Sequence, residues 1–357
     1  MAPTNIREKQ LNKTPAQKQK TPTGINMFSI KTTAGTIFKS IENELIISAV
    51  NKSGHHFPYS CRTGRCSSCK CKVISGSSVA ASEELGLSES EKSEGWILSC
   101  VRSATSDMVL EVEDLGGVSL PPPKTVPCRI QELSHLADDV IKVRLRLPPT
   151  ADFSYLPGQY IDVIGPGGIR RSYSLANANS SDKHLELHIR LVPGGAMSEY
   201  WFQQAKVNDL LRLNGPLGTF FLRQIAGLDL VFLATGTGIA PVKSMLEGMS
   251  DLSVDQKPRS VTIYWGGRKP QDLYCDVTAF SGSARYIPVL SQADDVWTGA
   301  RGYIQQQLIK NNPDLSQATV YACGSDAMIH SAEIFLNSAG LSAHRFHSDA
   351  FVCSASN

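Results

Sequence analysis

Four cysteines carry the clearest chemistry in this chain. Cys61, Cys66 and Cys69 stand in the spacing Cys-x4-Cys-x2-Cys, and Cys100 follows thirty-one residues later. Three thiolates from one loop and a fourth from a distant turn form the ligand set of a plant-type [2Fe–2S] cluster. A zinc site more often pairs Cys-x2-Cys with a second close pair, and Cys100 has no such neighbour. The small residues between the ligands (Gly64, Ser67, Ser68) let backbone amides turn toward the sulfurs and stabilise their charge. Cys71 falls outside the spacing and reads as a bystander thiol. Arg62, Arg65, Lys70 and Lys72 crowd the same loop. They favour the more negative reduced cluster, or they form a docking patch weakened by salt. The acidic run of Glu83, Glu84, Glu89, Glu91 and Glu94 reads as a solvated face.

A second set of tools lies mid-chain, in Arg170-Arg171-Ser172-Tyr173-Ser174-Leu175-Ala176. The Arg171 guanidinium suits a pyrophosphate, the Tyr173 ring can lie against a flat isoalloxazine, and the Ser174 hydroxyl can reach a ring nitrogen. Farther on, Gly194-Gly195-Ala196-Met197-Ser198 opens a helix running to about Lys206. Its first turn is either a diphosphate site or simply a Ser N-cap. Gly215 to Phe220 reads as a rigid turn. A third set follows the apolar strand Leu230 to Ala234. There Thr235-Gly236-Thr237-Gly238-Ile239-Ala240-Pro241 leads into a helix, the strand–turn–helix logic of a dinucleotide cradle without a full Gly-x-Gly-x-x-Gly. Gly266-Gly267-Arg268 and Cys323-Gly324-Ser325 end later strands, where ligands bind in such sheets. Arg268 with Lys269 could pair with a 2′-phosphate, yet an Arg after Gly-Gly is also compatible with NADH, which is preferred here. Cys323 is either a packed thiol or a group beside the nicotinamide, and its place at a strand's carboxyl end favours the second.

The elements that must position these groups change character along the 357 residues. Residues 1–26 are polar and basic without apolar periodicity, and read as a disordered tail. Residues 27–118 begin with a hairpin (Phe28 to Phe38), continue with a helix over Glu42 to Val50, and close on a strand at Met108 to Val112. Residues 119–125 hold Pro121-Pro122-Pro123, a semi-rigid linker. From 126 to 224 short strands alternate with Gly and Pro turns, the pattern of a small antiparallel barrel. From 225 to 357 strands at Leu230, Val261, Ala284 and Thr319 alternate with helices near Arg301 to Ile309 and Ser325 to Leu336. That pattern predicts a parallel sheet with crossover helices. The fold class is thus multidomain, α+β followed by α/β. A hydrophobic content of 41% and a formal charge of +2 exclude any whole-molecule argument for nucleic acid. No apolar run is long enough for a membrane span, and neither a secretory signal nor a transit peptide is recognisable, so a cytoplasmic location is expected.

Together these motifs resemble the ferredoxin–NADP reductase superfamily with a plant-type ferredoxin fused at the N-terminus. The likeness covers about residues 27 to 353. It implies a β-grasp ferredoxin domain ahead of the barrel and the nicotinamide domain. It places FAD at Arg171, Tyr173, Ser174 and the turn Gly195, Met197, Ser198. It places the nicotinamide coenzyme at Gly236, Thr237, Gly238, Pro241, Arg268 and Gly324, with Cys323 beside the reacting ring. It implies that Phe351, in Ser348-Asp349-Ala350-Phe351-Val352, covers the flavin. Reductases of aromatic-ring or alkane oxygenases share this domain order with those serving 3-dehydrases of CDP-4-keto-6-deoxyhexoses. The Ser348–Val352, Tyr264–Gly266, Trp297–Ala300 and Tyr321–Ser325 segments look closer to the latter. Cys71 and the basic tail depart from the pattern. The implied function is electron transfer from NADH, with NADPH as the variant coenzyme, through FAD and a [2Fe–2S] cluster to a protein partner. A redox sensor without turnover is the competing class, and would not bleach on a turnover timescale when mixed anaerobically with NADH.

Overall fold

The computed structural model describes residues 24–179, 182–311 and 314–352, so nearly all of the basic tail lies outside the described residues. The N-terminal unit contains β1 (Met27–Thr32), β2 (Ile37–Ile41), α1 (Ile46–Lys52), β3 (Lys70–Ser75), β4 (Ser78–Ala80), α2 (Glu89–Ser93), β5 (Trp96–Leu98), β6 (Arg102–Ala104) and β7 (Met108–Glu111). Its main sheet runs β2-β1-β7-β3-β5, with β1 and β7 parallel and the other pairs antiparallel. The alternation in β1 buries Phe28 and Ile30 against Ile46, Ile47 and Val50 of α1 and against Phe57, Leu98 and Leu110. α1 starts four residues later than the sequence pattern suggests. Asn43 takes a left-handed φ of 65° and Leu45 is extended, so the apolar run begins outside the helix.

The barrel is built from β8 (Lys124–Ala137), β9 (Val140–Arg146), β10 (Tyr160–Ile164), β11 (Arg170–Ser174), β12 (His184–Arg190) and β13 (Leu210–Leu217). They are ordered β11-β10-β13-β8-β9-β12, and a Leu175–Leu187 bridge joins the two edges, which closes the sheet. β8 already starts at Lys124, inside the segment read as linker. β13 passes through Gly215-Pro216, with Gly215 opposite Lys124, so the turn expected there begins only at Gly218, where φ is 84°. The helix after Gly195 is shorter than its pattern. α3 (Ala196–Glu199) runs into a π-helical turn, Tyr200–Gln204, stopped by the extended Ala205.

The last unit comprises β14 (Asp229–Thr235), α4 (Ile239–Gly248), β15 (Ser260–Gly267), α5 (Thr278–Ser281), β16 (Arg285–Leu290), β17 (Ala300–Arg301), α6 (Ile304–Asn311), β18 (Ala318–Ser325), α7 (Asp326–Ser338) and β19 (Phe346–Phe351). All pairs are parallel, in the order β17-β16-β15-β14-β18-β19. β14 feeds two cores, Val231 and Leu233 on one face, Leu230, Phe232 and Ala234 on the other, as a sheet covered on both faces requires. β19 carries too much polar sequence to read as a buried strand, and it is the element that brings the tail back to the site.

Candidate functional site

The cluster loop runs from Ser60 to Lys70 and is shaped by backbone that few residues tolerate. Gly64 has φ 74°, and a Cβ there would meet the Glu83 carbonyl at 2.4 Å; a Cβ on Gly86 would meet the Cys66 carbonyl at 2.6 Å. That fold of chain aims amides at sulfur. The Thr63 and Cys66 N–H groups donate to Cys61 Sγ and the Cys61 N–H donates to Cys66 Sγ, each at 3.4 Å. The four thiols lie as two neighbouring pairs, Cys61 beside Cys66 and Cys69 beside Cys100. The Cys66 hydrogen bond, aided by Thr63, pulls Cys61 down to about 4 against its burial. Its partner Cys66 is pushed up by the same hydrogen bond and by burial. Two thiols on each side fit a binuclear cluster, in which each iron takes two protein ligands and bridging sulfide supplies the rest. Cys71 is fully buried, its thiol pushed up to about 12 by burial, as a bystander should be.

Two charge expectations change. Lys70 is not free for docking: its Nζ lies 2.9 Å from Glu91 and 3.6 Å from Glu333 of α7, and it stands over the Trp96 ring beside Lys72. Arg62 remains exposed, with its guanidinium 4.9 Å above the Tyr59 ring. The acidic run is not wholly a solvated face. Glu84 is buried, accepts from the Leu98 N–H at 2.7 Å and pairs with Arg102 at 2.7 Å. Glu91 caps α2 together with Ser88.

On the barrel edge, Arg171 and Tyr173 share one face of β11 and Ser174 the other. Arg171 is exposed, donating only to the adjacent Arg170 carbonyl at 2.8 Å among the bonds seen. The Tyr173 hydroxyl accepts from Trp201 Nε1 at 3.0 Å, and the two rings meet edge to face. This fixes the phenol while leaving it half-buried. A cation, a held ring and a hydroxyl on one strand fit a flavin with its diphosphate. The neighbouring turn contributes less than expected. Met197 is buried and packs on Gly165, and the Ser198 hydroxyl accepts from the Val192 N–H at 2.9 Å. The Gly195 N–H is itself donated to the Val192 carbonyl at 3.0 Å, so of the three expected residues only Met197 and Ser198 are left to offer backbone amides.

In the third unit two glycines bring strand ends together. A Cβ on Gly238 would lie 2.2 Å from the Cys323 carbonyl, and one on Gly324 (φ 137°) would lie 2.2 Å from Thr235 Oγ1. The turn Gly236-Thr237-Gly238 therefore sits directly on the end of β18, with Pro241 buried in the first turn of α4 and Trp265 Nε1 donating to the Gly236 carbonyl at 3.0 Å. Bare backbone at the head of a ten-residue helix fits a dinucleotide. Arg268 is exposed and borders a cavity of about 230 Å³ with Lys269, Asp272 and Gln292. The Asp272 carboxylate in that cavity accepts from the Arg268 N–H at 2.7 Å and the Lys269 N–H at 3.2 Å. Phe351 ends β19, half-buried opposite Ser325.

The residue that sequence reasoning missed is Asp349. It is buried in β19 and faces all three sites. Ser60, next to Cys61, donates to its Oδ1 at 2.5 Å; the Cys323 thiol lies 4.0 Å from its Oδ2; and Ser174 hydrogen-bonds to it. Burial pushes its carboxyl up to about 6 against the Ser60 and Ser174 hydrogen bonds. A carboxylate two residues before the tail aromatic was the available signal, but its partners come from three distant segments. The Cys323 thiol is fully buried and raised by burial, so it meets any ligand through this packed cluster rather than from an open cleft.

Residues 32–105 match the model of the 2Fe-2S iron-sulfur cluster binding domain, residues 127–222 the oxidoreductase FAD-binding domain, and residues 232–333 the oxidoreductase NAD-binding domain. The CDP-6-deoxy-L-threo-D-glycero-4-hexulose-3-dehydrase reductase of Yersinia pestis is 43% identical over 89% of this chain and 96% of its own length. The reductase component of propane 2-monooxygenase from Rhodococcus jostii is 32% identical over 88% of each chain. Among solved structures, a cytochrome P450 reductase from Amycolatopsis superposes with a TM-score of 0.70 at 28% identity, covering 91% of this chain and 98% of that one.

Proposed function

The chain belongs to the NAD(P)H-dependent iron–sulfur flavoprotein reductases of the ferredoxin–NADP reductase superfamily, and on that premise we propose that it supplies electrons to a 3-dehydrase acting on a CDP-4-keto-6-deoxyhexose. The observation that carries the partner is the gradient of likeness. Identity is 43% to the dehydrase reductase over nearly its whole length, against 32% to the propane monooxygenase component. The tail Ser348-Asp349-Ala350-Phe351-Val352 supports the same reading.

When bound, FAD converts a hydride's electron pair into single electrons and the [2Fe–2S] cluster carries them one at a time. Cys61, Cys66, Cys69 and Cys100 would hold the cluster, and the Thr63 and Cys66 amides would offset the charge on Cys61. Arg171 takes the diphosphate, Tyr173 supports the ring, and Ser174 reaches its edge. Met197 and Ser198 would add amides, with Gly195 shaping the turn that presents them. Gly236, Thr237, Gly238 and Pro241 form the floor for the coenzyme diphosphate, with Gly324 giving clearance. Cys323 and Phe351 border the reacting rings from the ends of β18 and β19. NADH is the preferred coenzyme. The Asp272 carboxylate, anchored by two amides and 3.8 Å from the Arg268 guanidinium, would accept a ribose hydroxyl and partly occupies the cation that a 2′-phosphate would need. Thiol ligands that must stay reduced support a cytoplasmic location. Among the described residues no helix is long and apolar enough to cross a membrane.

The test is an anaerobic mixture of this protein, NADH, a 3-dehydrase and its CDP-sugar, followed for the 3-deoxy product. Product formation is the expected result. Failure there, with efficient coupling to an alkane or aromatic-ring oxygenase instead, would move the partner to that class.

A further inference from the structure

We propose that the dipeptide Tyr59–Ser60 is an interdomain latch that sets the distance between the flavin site and the cluster, with Ser60 as the positioning residue. The inference rests on the electron-transfer reading above and concerns how one junction in the chain makes that transfer work. Tyr59 gives both backbone groups to the turn after β13. Its N–H donates to Thr219 Oγ1 at 2.7 Å, and its carbonyl accepts from the Thr219 N–H at 3.1 Å and hydroxyl at 3.0 Å. Ser60 gives its carbonyl to the Tyr160 hydroxyl at 2.6 Å and its own hydroxyl to Asp349 at 2.5 Å. All five residues are buried. The next residue is Cys61, so a cluster ligand is tied within two positions of chain to the barrel strand β10, to the β13 turn and to β19. The same Asp349 accepts from Ser174, so the latch and the flavin edge share one carboxyl.

Besides the packing of Cys61 and Cys66 on the core that holds Ala350, the other polar links seen among the described residues between the cluster domain and the rest are of a different kind. Ser68 reaches the Ser348 carbonyl at 3.3 Å, Lys70 reaches Glu333 at 3.6 Å and Arg223 reaches Glu113 at 3.2 Å, all with more exposed side chains. Partly exposed ion pairs contribute little and are screened by salt, whereas buried short hydrogen bonds fix geometry. Two electrons from each NADH must cross this junction singly. The chain holds the junction by the hydrogen bonds nearest to Cys61, not by the peripheral charges. Electron transfer falls off steeply with the separation of donor and acceptor, so a junction that loosens slows the step that crosses it.

The test uses the full-length, cofactor-loaded protein mixed anaerobically with NADH in a stopped-flow instrument, with flavin and cluster bleaching followed separately. In Ser60→Ala, flavin bleaching is expected to keep its rate while cluster bleaching slows severalfold. The midpoint potential and EPR spectrum of the reduced cluster should stay those of the parent, and Ser60→Thr should restore the rate. Thr219→Val, on the barrel side of the latch and outside the cluster loop, should produce the same selective slowing and decides the matter if Ser60→Ala does not fold. Cluster bleaching at the parent rate in Thr219→Val would overturn the latch. So would slowing accompanied by a shifted potential or altered EPR spectrum, because Ser60 would then hold the cluster itself. A parent protein whose cluster is not bleached by NADH would instead overturn the electron-transfer reading, a distinguishable failure.

Discussion

At the scale of single residues, Cys323 shows how burial redefines a candidate. Its sulfur is sealed among Phe232, Trp265 and Tyr321, and its nearest polar neighbour is Asp349. Its carbonyl lies against the Gly238 turn, and the thiol fills the packing behind that strand end. Cys323→Ala is therefore expected to slow flavin reduction by NADH by about tenfold or more while changing the Kd for NAD⁺ by less than about threefold. Stopped-flow reduction and equilibrium binding measured on the same preparation separate the two. An unchanged reduction rate would reduce Cys323 to packing alone. Asp349 is the complementary case, a charged residue inside a parallel strand, kept there by Ser60 and Ser174 because a buried carboxyl without partners is costly.

At the scale of elements, β12 couples the barrel to the nicotinamide unit through alternate residues on one face. Glu186 meets Lys243 of α4 at 3.2 Å, His188 meets the Tyr274 hydroxyl at 3.0 Å, and Arg190 stands by Gly236. Burial by itself would raise Glu186, but the His188 hydrogen bond and the Lys243 charge win and pull it down to about 2. A carboxyl with a depressed folded-state pKa stabilises the fold above its ordinary value of 4.5 and loses that contribution as pH falls toward 2. Glu186→Gln should lower Tm at pH 7 and flatten its decline between about pH 4.5 and 2. Thermal unfolding of parent and variant across that window checks it; parallel profiles would mean that the network contributes nothing to stability.

At the scale of the whole molecule, three units with separate cores meet at one junction. The cores are not wholly independent, since Cys61 and Cys66 pack against the face of the third unit that holds Ala350 and Val352. Cys66→Ser should abolish the cluster and leave the other two units folded, because the barrel core excludes Cys66 and both faces of the parallel sheet are packed mainly by that unit's own side chains. NADH oxidation by a two-electron dye is expected to survive at about the parent level, while cytochrome c reduction through the cluster falls by about 10²-fold or more. Equal loss of both activities would mean that the cluster loop is needed to build the flavin site.

Local chemistry determined much of this protein before any tertiary contact was known. The Cys-x4-Cys-x2-Cys spacing, the Arg171-x-Tyr173-Ser174 strand and the Gly236–Gly238 turn are short-range patterns, and a few residues of backbone suffice to place their side chains. The three-part organisation was legible for the same reason, since strand and helix periods are local. What sequence could not decide was which groups would find one another. Lys70 is drawn out of the docking patch by Glu333, some 260 positions away, and Glu84 leaves its acidic run for Arg102. The Met197 side chain turns into the barrel core and the Ser198 hydroxyl is taken by Val192. Above all, β19 folds back beside β18 and sets Asp349 between Ser60, Ser174 and Cys323. Those contacts are long-range, set by the order of strands in two different sheets and by burial that makes an isolated carboxyl seek partners, and neither is written in any local stretch of the chain.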